Sequence, residues 1–186
     1  MNQDSFANFG SMNEAMVFSK EHAEFLTVTC LEWKHVLAED RFKDIIIDSL
    51  TYLTKSQRVY VYGFVIMSNH FHLLWQMIGD HKRSNVQRDF LKYTGQQILK
   101  LLQRDQAAIL KDLQVNAKDR KHQVWERNSL GVPLWTPEVF WQKLDYVHNN
   151  PVKAGLCKSP EDYKYSSARY DEKNEKDWVF LTHHEG

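Results

Sequence analysis

Residues 59–77 read VYVYGFVIM-SN-HFHLLWQM, and this stretch decides the fold. Both flanking runs are rich in β-branched and aromatic residues, which favours β-strands, and Ser68-Asn69 between them is typical of a tight turn. The sequence therefore predicts a β-hairpin with strands at 59–67 and 70–77. The first of these strands is apolar enough to lie in the middle of a sheet.

Composition and hydrophobic periodicity predict the other elements on both sides of this β-hairpin. In chain order they are a strand over EFLTVTCLEW at 24–33, an amphipathic helix at 35–55, one long or broken helix at 84–114, a fourth strand over HQVWER at 122–127, and a loop over NSLGVPLW at 128–135. Thr136-Pro137-Glu138 then opens a last helix, with an N-cap residue followed by proline. We expect this helix to end near Asn149, because Pro151 disfavours helical geometry in the residue before it.

The predicted order is strand, helix, strand, strand, helix, strand, helix. A β-α-β-β-α-β core is a ferredoxin-like α+β sheet with both main helices on one face, and the last helix is an addition to it. The opposite face of the sheet then either stays open for a ligand or is covered by added elements. We expect one domain over residues 21–170, a flexible N-terminal arm over 1–20, and a loose acidic tail over 171–186.

Composition excludes several classes of protein. The chain has 186 residues, and its two cysteines, Cys30 and Cys157, form neither a disulfide framework nor a CxxC zinc pair. No apolar run approaches the roughly 20 residues that span a bilayer, and the N-terminus lacks the pattern of a signal peptide. These features predict a soluble cytoplasmic protein with no membrane partner.

The segment Asn69-His70-Phe71-His72 carries the first candidate for chemistry. Residues two apart on a strand point to the same face, with Cα atoms roughly 6.6 Å apart, so both imidazoles project together. Two imidazoles on one face chelate a divalent cation when a third ligand arrives. The alternative is that one or both histidines pair with nearby polar groups.

The second candidate lies in the last predicted helix, where Tyr146 and Asn150 are one turn apart and therefore on the same face. A phenol beside an amide is also an ordinary structural pair, and an asparagine before Pro151 is an ordinary choice for a helix end. Tyr93 and Gln97 have the same spacing in the second predicted helix. The spacing alone leaves the choice between the two tyrosines open.

Taken together, two segments resemble a known family. NHFHLL at 69–74 and YVHNNPVKAG at 146–155 resemble the HUH single-tyrosine transposases, in particular the REP-associated tyrosine transposases of bacteria, and DYKYSSA at 162–168 resembles their usual continuation. The resemblance covers about residues 24–170. It implies an enzyme that cleaves and rejoins single-stranded DNA, commonly beside a DNA hairpin, through a 5′-phosphotyrosine link.

The resemblance also implies a role for each site residue. His70 and His72 are the two histidines of the HUH motif, Tyr146 is the nucleophile, and Asn150 is the third ligand of a divalent cation, Mg²⁺ or Mn²⁺. Mixed imidazole and amide ligation suits manganese at least as well as magnesium. The better motif match favours Tyr146 over Tyr93.

A basic segment is the candidate for DNA contacts. Residues 82–127 hold 11 basic and 5 acidic side chains, a net charge of +6, although the whole chain carries 24 of each. A basic rim beside aromatic side chains holds DNA phosphates and stacks bases. Trp135 and Trp141 flank the tyrosine helix and are candidates for stacking, although most tryptophans of a small domain are packing residues. The candidate phosphate contacts are Arg83, Arg88, Lys92, Arg120, Lys121 and Arg127.

Three functions remain open. They are a metal-dependent DNA strand transferase that uses Tyr146, a non-cleaving DNA-hairpin-binding protein of the same fold, and a ferredoxin-like metal or ligand-binding module with a coincidental His-x-His. The first is favoured because all four site residues are present, although zero net charge departs from the basic character of such enzymes. The family includes monomers and dimers that share active sites, so we expect a monomer or a homodimer.

Overall fold

A four-stranded antiparallel sheet lies at the centre of the structure, a computed structural model that describes residues 22–173 and 178–183. The strands are β1 (Glu24–Thr29), β2 (Val59–Ile66), β3 (His70–Met77), β4 (Gln114–Ala117), β5 (Arg120–His122) and β6 (Leu130–Pro133). The sheet has the order β2-β3-β1-β6 with antiparallel neighbours throughout, and β4 and β5 form a separate β-hairpin. This order confirms the ferredoxin-like β-α-β-β-α-β prediction. The predicted arm at 1–20 lies outside the described residues.

Two helices cover one face of the sheet, as the periodicity predicts. They are α1 (Asp40–Lys55) and α2 (Arg83–Arg104). Alternate side chains of β3 point to this face, where Phe71 packs against Phe90 of α2 with ring centroids 6.0 Å apart. Leu73 and Trp75, the next two residues of β3 that point to this face, are fully buried in the same layer. These contacts form the main hydrophobic core.

A third helix, α3 (Pro137–Lys153), covers the opposite face. Phe140, Leu144 and Val147 are buried there in a second hydrophobic cluster with residues of β1, β2 and β3. Gly63 of β2 lies against this helix, and a Cβ at that position would overlap the Leu144 side chain. The added helix α3 therefore covers this face of the sheet, and the part of it that contains Tyr146 packs near β3, the strand that carries His70 and His72.

The fourth strand of the sheet is not where the sequence predicts it. Of residues 122–127, His122 ends β5 and the others form only an isolated bridge, between Trp125 and Cys30. The two apolar residues of this stretch, Val124 and Trp125, are buried in the main core, where the Trp125 ring lies 5.5 Å from that of Phe71. β6 supplies the strand instead, within residues that predict a loop. Its glycine and proline have low strand propensity but are tolerated at the edge of a sheet, which is where β6 lies.

Other element boundaries also differ from the predicted ones. The observed changes are that β1 ends at Thr29 before a 3₁₀ turn at Leu31–Trp33, α1 begins at Asp40, and α2 ends at Arg104 before a 3₁₀ helix at Ala108–Leu113. The break after α2 follows from Gln106, whose φ of 50° is left-handed and incompatible with a continuing helix. Within the described ranges, none of the helices combines the length and apolar character needed to cross a membrane.

α3 continues through Pro151 to Lys153, although the sequence predicts its end near Asn149. Proline removes the helical hydrogen bond to the residue four positions earlier, here Val147. Packing compensates for this loss, since Val147 and Pro151 are both buried. Gly155, with a left-handed φ of 70°, then closes the helix. The whole segment YVHNNPVK therefore lies on one helix.

The described part of the C-terminal segment packs on the domain. Phe180 and Leu181 are buried, and Leu181 bridges to Val61 of β2. Trp178 adds an edge-on contact with Phe64, with ring centroids 5.6 Å apart. The expected loose tail is therefore wrong for residues 178–183, because their apolar side chains extend the main core.

Candidate active site

His70 and His72 lie side by side on β3, on the face that α3 covers. Their ring centroids are 4.9 Å apart and the ring planes are inclined by 69°. The two-residue period of a strand places them together, while Phe71 between them turns to the main core. His72 is buried and His70 is partly exposed at the rim.

One nitrogen of each imidazole is held by a neighbouring side chain. Asn69 Oδ1 accepts a hydrogen bond from His70 Nδ1 at 2.7 Å, and Thr27 Oγ1 of β1 lies 2.9 Å from His72 Nδ1. An amide oxygen only accepts, so the neutral His70 ring keeps its lone pair on Nε2. His72 Nε2 is buried and has no hydrogen-bond partner among the described residues. Contacts of this kind orient histidines that bind metals.

The pKa values of both imidazoles are lowered, which favours the neutral form of each ring. The pKa of His72 is lowered to about 3, mainly by burial and to a smaller extent by the nearby charges of His70 and Lys143. Burial also lowers the pKa of His70, although a side-chain hydrogen bond with Asn150 acts in the opposite direction. The two rings therefore offer lone pairs rather than positive charge to a ligand.

α3 brings Tyr146 and Asn150 to the two imidazoles of the same chain. The Tyr146 ring centroid lies 5.2 Å from that of His72 and 5.9 Å from that of Phe25 on β1. Asn150, one turn later, hydrogen-bonds to His70. Because the Tyr146 side chain is 39% exposed, a substrate can reach it from solvent. The structure thus gathers all four residues that the sequence singles out.

Two lysines that the sequence analysis does not single out lie over the Tyr146 ring. Lys143 Nζ is 5.8 Å and Lys153 Nζ is 5.4 Å from the ring centroid. They stand three residues before and seven residues after the tyrosine, so helical periodicity alone could have identified them. Their positive charges lie close to the phenol and would attract an anionic substrate to it.

His148 anchors the other side of α3. Its Nε2 lies 2.8 Å from Ser167 Oγ and 3.2 Å from Asp171 Oδ2 in the short helix α4 (Ala168–Lys173). Ser167 Oγ also accepts a hydrogen bond from the backbone N–H of Phe64 on β2 at 3.0 Å. This buried network ties the helix that bears Tyr146 to the sheet that bears the histidines.

The rival tyrosine, Tyr93, lies elsewhere. It is on α2, which packs on the sheet face opposite His70 and His72, and its side chain is 52% exposed. Gln97, its partner in spacing, is on the same helix and therefore on the same side of the sheet. The structure brings Tyr146, and not Tyr93, to the imidazole pair.

Most of the predicted phosphate contacts line one groove. It has a volume of about 850 Å³ and lies between α2 and residues 119–129. The basic residues in its lining are Arg83, Arg88, Lys92, Arg120 and Arg127, whereas Lys121 is exposed on β5 beside it. Arg83 forms an ion pair with the buried Glu24, with Nη1 and Oε1 2.9 Å apart, so it also has a structural role. The groove is separate from the face of the sheet that carries the histidines.

The donor set of the site fits a divalent cation. The buried Nε2 of His72 has no hydrogen-bond partner among the described residues, and the neighbouring His70 ring contacts the Asn150 amide. Within residues 22–173 and 178–183, no three His, Cys, Asp or Glu side chains are grouped to hold a metal, so the third donor would be the amide. Imidazole and oxygen ligands together are compatible with Mn²⁺ and Mg²⁺.

Comparison with known proteins identifies the fold. A REP-associated tyrosine transposase bound to a REP hairpin superimposes with a TM-score of 0.61 and 15% sequence identity, over 91% of this chain and 85% of that chain. A protein from Deinococcus radiodurans R1, provisionally assigned as a transposase, covers 68% of this chain and 88% of its own at 13% identity and a TM-score of 0.44. No family model and no curated protein matches the sequence. The chain therefore has the fold of the tyrosine transposases, at low sequence identity.

Proposed function

We propose that this protein cleaves and rejoins single-stranded DNA, with Tyr146 as the nucleophile and a divalent cation held by His70, His72 and Asn150. The observation that carries the proposal is the 5.2 Å distance between the rings of Tyr146 and His72, beside a buried Nε2 that has no hydrogen-bond partner among the described residues. The similar transposase is bound to a REP hairpin, which supports a DNA hairpin as part of the substrate.

The proposed cleavage is a transesterification at phosphorus. The Tyr146 hydroxyl oxygen bonds to the scissile phosphorus and loses its proton, while the bond from phosphorus to the 3′ oxygen breaks and that oxygen takes up a proton. One DNA end then carries a 3′-hydroxyl, and the other is joined to Tyr146 through its 5′ phosphate. Attack by a 3′-hydroxyl reverses the step and rejoins DNA, since the phosphodiester has been kept as an ester.

The surrounding side chains support this chemistry. A neutral phenol is a weak nucleophile unless its target is made more electrophilic, and a bound divalent cation supplies that polarisation at the phosphate oxygens. Lys143 and Lys153 place positive charge 5.8 and 5.4 Å from the centre of the Tyr146 ring, where it would attract the scissile phosphate. The His148 network holds α3 so that Tyr146 stays over the histidines.

A second candidate is a DNA-hairpin-binding protein that does not cleave. The observation that favours it is the location of the basic groove, which lies between α2 and residues 119–129 rather than at the histidines. Phosphate contacts in this groove would survive the loss of catalysis. Binding and cleavage therefore have to be measured separately.

Covalent adduct formation tests the proposal. A labelled pool of DNA hairpins with randomised single-stranded flanks is incubated with the protein and Mn²⁺, and denaturing electrophoresis then detects DNA attached to protein. We expect an adduct that is lost in Tyr146→Phe, in His72→Ala and on addition of EDTA, and that persists in the matched control Tyr93→Phe. An adduct that persists in Tyr146→Phe would refute the assignment, and DNA binding with no adduct would favour the second candidate.

A further inference from the structure

An exposed tryptophan lies at the rim of the candidate active site. Trp33 is 59% exposed, and its ring centroid is 5.6 Å from that of His70 with the planes inclined by 68°. Single exposed hydrophobic side chains are common on protein surfaces, and what distinguishes this indole is its position beside His70 of the candidate active site. Its plane is available to a flat ligand.

The backbone of the turn that carries this indole has an unfavourable conformation. Glu32 and Trp33 both have left-handed φ values, 50° and 59°, which cost about 1 kcal/mol or more each for residues other than glycine. Hydrogen bonds on both sides compensate. Cys30 N–H donates to Asn69 O at 2.8 Å, next to His70, and Glu32 N–H donates to Glu126 Oε1 at 2.7 Å. The turn is thus fixed to the histidine strand and to the 122–127 segment.

A polar cavity adjoins the exposed indole. It has a volume of about 580 Å³, which is within the range of small-molecule sites. Gln123, Glu126 and Arg127 line both this cavity and the basic groove on α2, so the cavity extends from Trp33 to that groove. Its polar lining provides hydrogen-bond donors and acceptors: Thr29, Gln123, Glu126, Arg127 and Asn128.

We propose that Trp33 and this cavity form a nucleobase subsite, in which the indole stacks on an unpaired base of the DNA strand next to the scissile phosphate. This inference rests on the proposed DNA substrate. Stacking on an aromatic face accepts any base, while the polar lining is placed to contact the base edge or the adjoining phosphate. The strand would then pass from His70 across Trp33 towards the basic groove.

Binding measured without cleavage tests the subsite. Fluorescence anisotropy measures DNA binding in EDTA by Tyr146→Phe protein, with and without the additional substitution Trp33→Ala. Two fluorescein-labelled strands of equal length are compared: oligo(dT), and a strand made only of abasic sugar phosphates. We expect Trp33→Ala to weaken binding of oligo(dT) by about 5- to 150-fold, the range of one base stack. Affinity for the abasic strand should stay unchanged, and Trp33→Phe should restore most of the oligo(dT) affinity.

The controls separate stacking from other effects. Tyr52→Ala, which removes an exposed aromatic side chain from α1 on the other face of the sheet, should leave both affinities unchanged. Equal loss of affinity for both strands would show a general disturbance of the surface, and no loss for either would show that no base stacks here; both results overturn the subsite. Failure of adduct formation by unmutated protein, together with a selective loss for oligo(dT), would refute the proposed cleavage while the subsite stands.

Discussion

His72 Nδ1 lies 2.9 Å from Thr27 Oγ1, and this contact between neighbouring strands aims the opposite nitrogen of the ring at the candidate metal site. The nearly isosteric Thr27→Val should remove the hydrogen bond that fixes the orientation of this buried ring. We expect the affinity for Mn²⁺ to fall by about 10- to 100-fold, as for other contacts that orient a metal-binding histidine. Calorimetric titration with Mn²⁺ measures the change.

Thr51→Val is the matched control for that substitution. Its hydroxyl bonds to Ile47 O within α1, away from the site. Unchanged Mn²⁺ affinity in Thr27→Val, or an equal decrease in both variants, would contradict the role of the contact.

The burial of His72 should make the stability of the metal-free protein depend on pH. Its folded pKa of about 3 lies below the unfolded value of 6.5, so the unfolded chain binds more protons between these values. The contribution of the neutral ring is present above pH 6.5 and is lost as the pH falls towards 3. In this window we expect the free energy of unfolding to fall by up to about 1.4 kcal/mol per pH unit. Urea unfolding in EDTA, compared with His72→Gln, measures it; equal slopes would count against the prediction.

Lys153 should contribute to the reaction rate. Its Nζ is 5.4 Å from the Tyr146 ring, so Lys153→Met removes a positive charge where negative charge develops on the phosphate. We expect adduct formation to slow by about tenfold or more in single-turnover experiments, and Lys153→Arg to retain most of the rate. The control is Lys111→Met, in the exposed 3₁₀ helix after α2, and a similar loss there would show only a general charge effect.

His148 should act as a positioning residue. His148→Leu breaks the contact with Ser167 that holds α3 on the sheet. We expect adduct formation to slow by about 10- to 100-fold because the phenol is no longer held over the histidines. In the Tyr146→Phe background, the same substitution should change the DNA affinity by about twofold at most, the difference expected between two sites that do not interact. His148→Gln, which keeps a donor, should recover part of the rate. Parallel loss of rate and affinity would indicate unfolding instead.

Local sequence patterns predict the strand and the helix that carry the candidate site residues. The strand period places His70 and His72 together, and helical spacing places Asn150 one turn after Tyr146. The prediction fails where contacts between distant segments outweigh local preference. Trp125 packs into the main core although it lies outside the strands of the central sheet. Helix α3 continues beyond Pro151 because the buried side chains on one face of the helix pack against the sheet.

The structural roles of two further residues also cannot be predicted from sequence patterns, because these roles depend on contacts between distant segments. His148 lies in the YVHNNPVKAG segment, but the residue spacing of that segment does not indicate a contact with Ser167, nineteen positions later in the sequence. Trp33 occupies a left-handed conformation that usually indicates glycine or asparagine, and only its contacts with separate segments reveal why the chain adopts it. Predicting either residue would require the tertiary structure itself.

The docking of α3 on its own sheet has a kinetic consequence. Tyr146 and the two imidazoles belong to one polypeptide, so under the proposed mechanism their encounter would be intramolecular and its probability independent of protein concentration. At saturating DNA, the fraction of chains that become attached per unit time should therefore stay constant on serial dilution. A rate per chain that falls with dilution would instead indicate catalysis by a pair of chains.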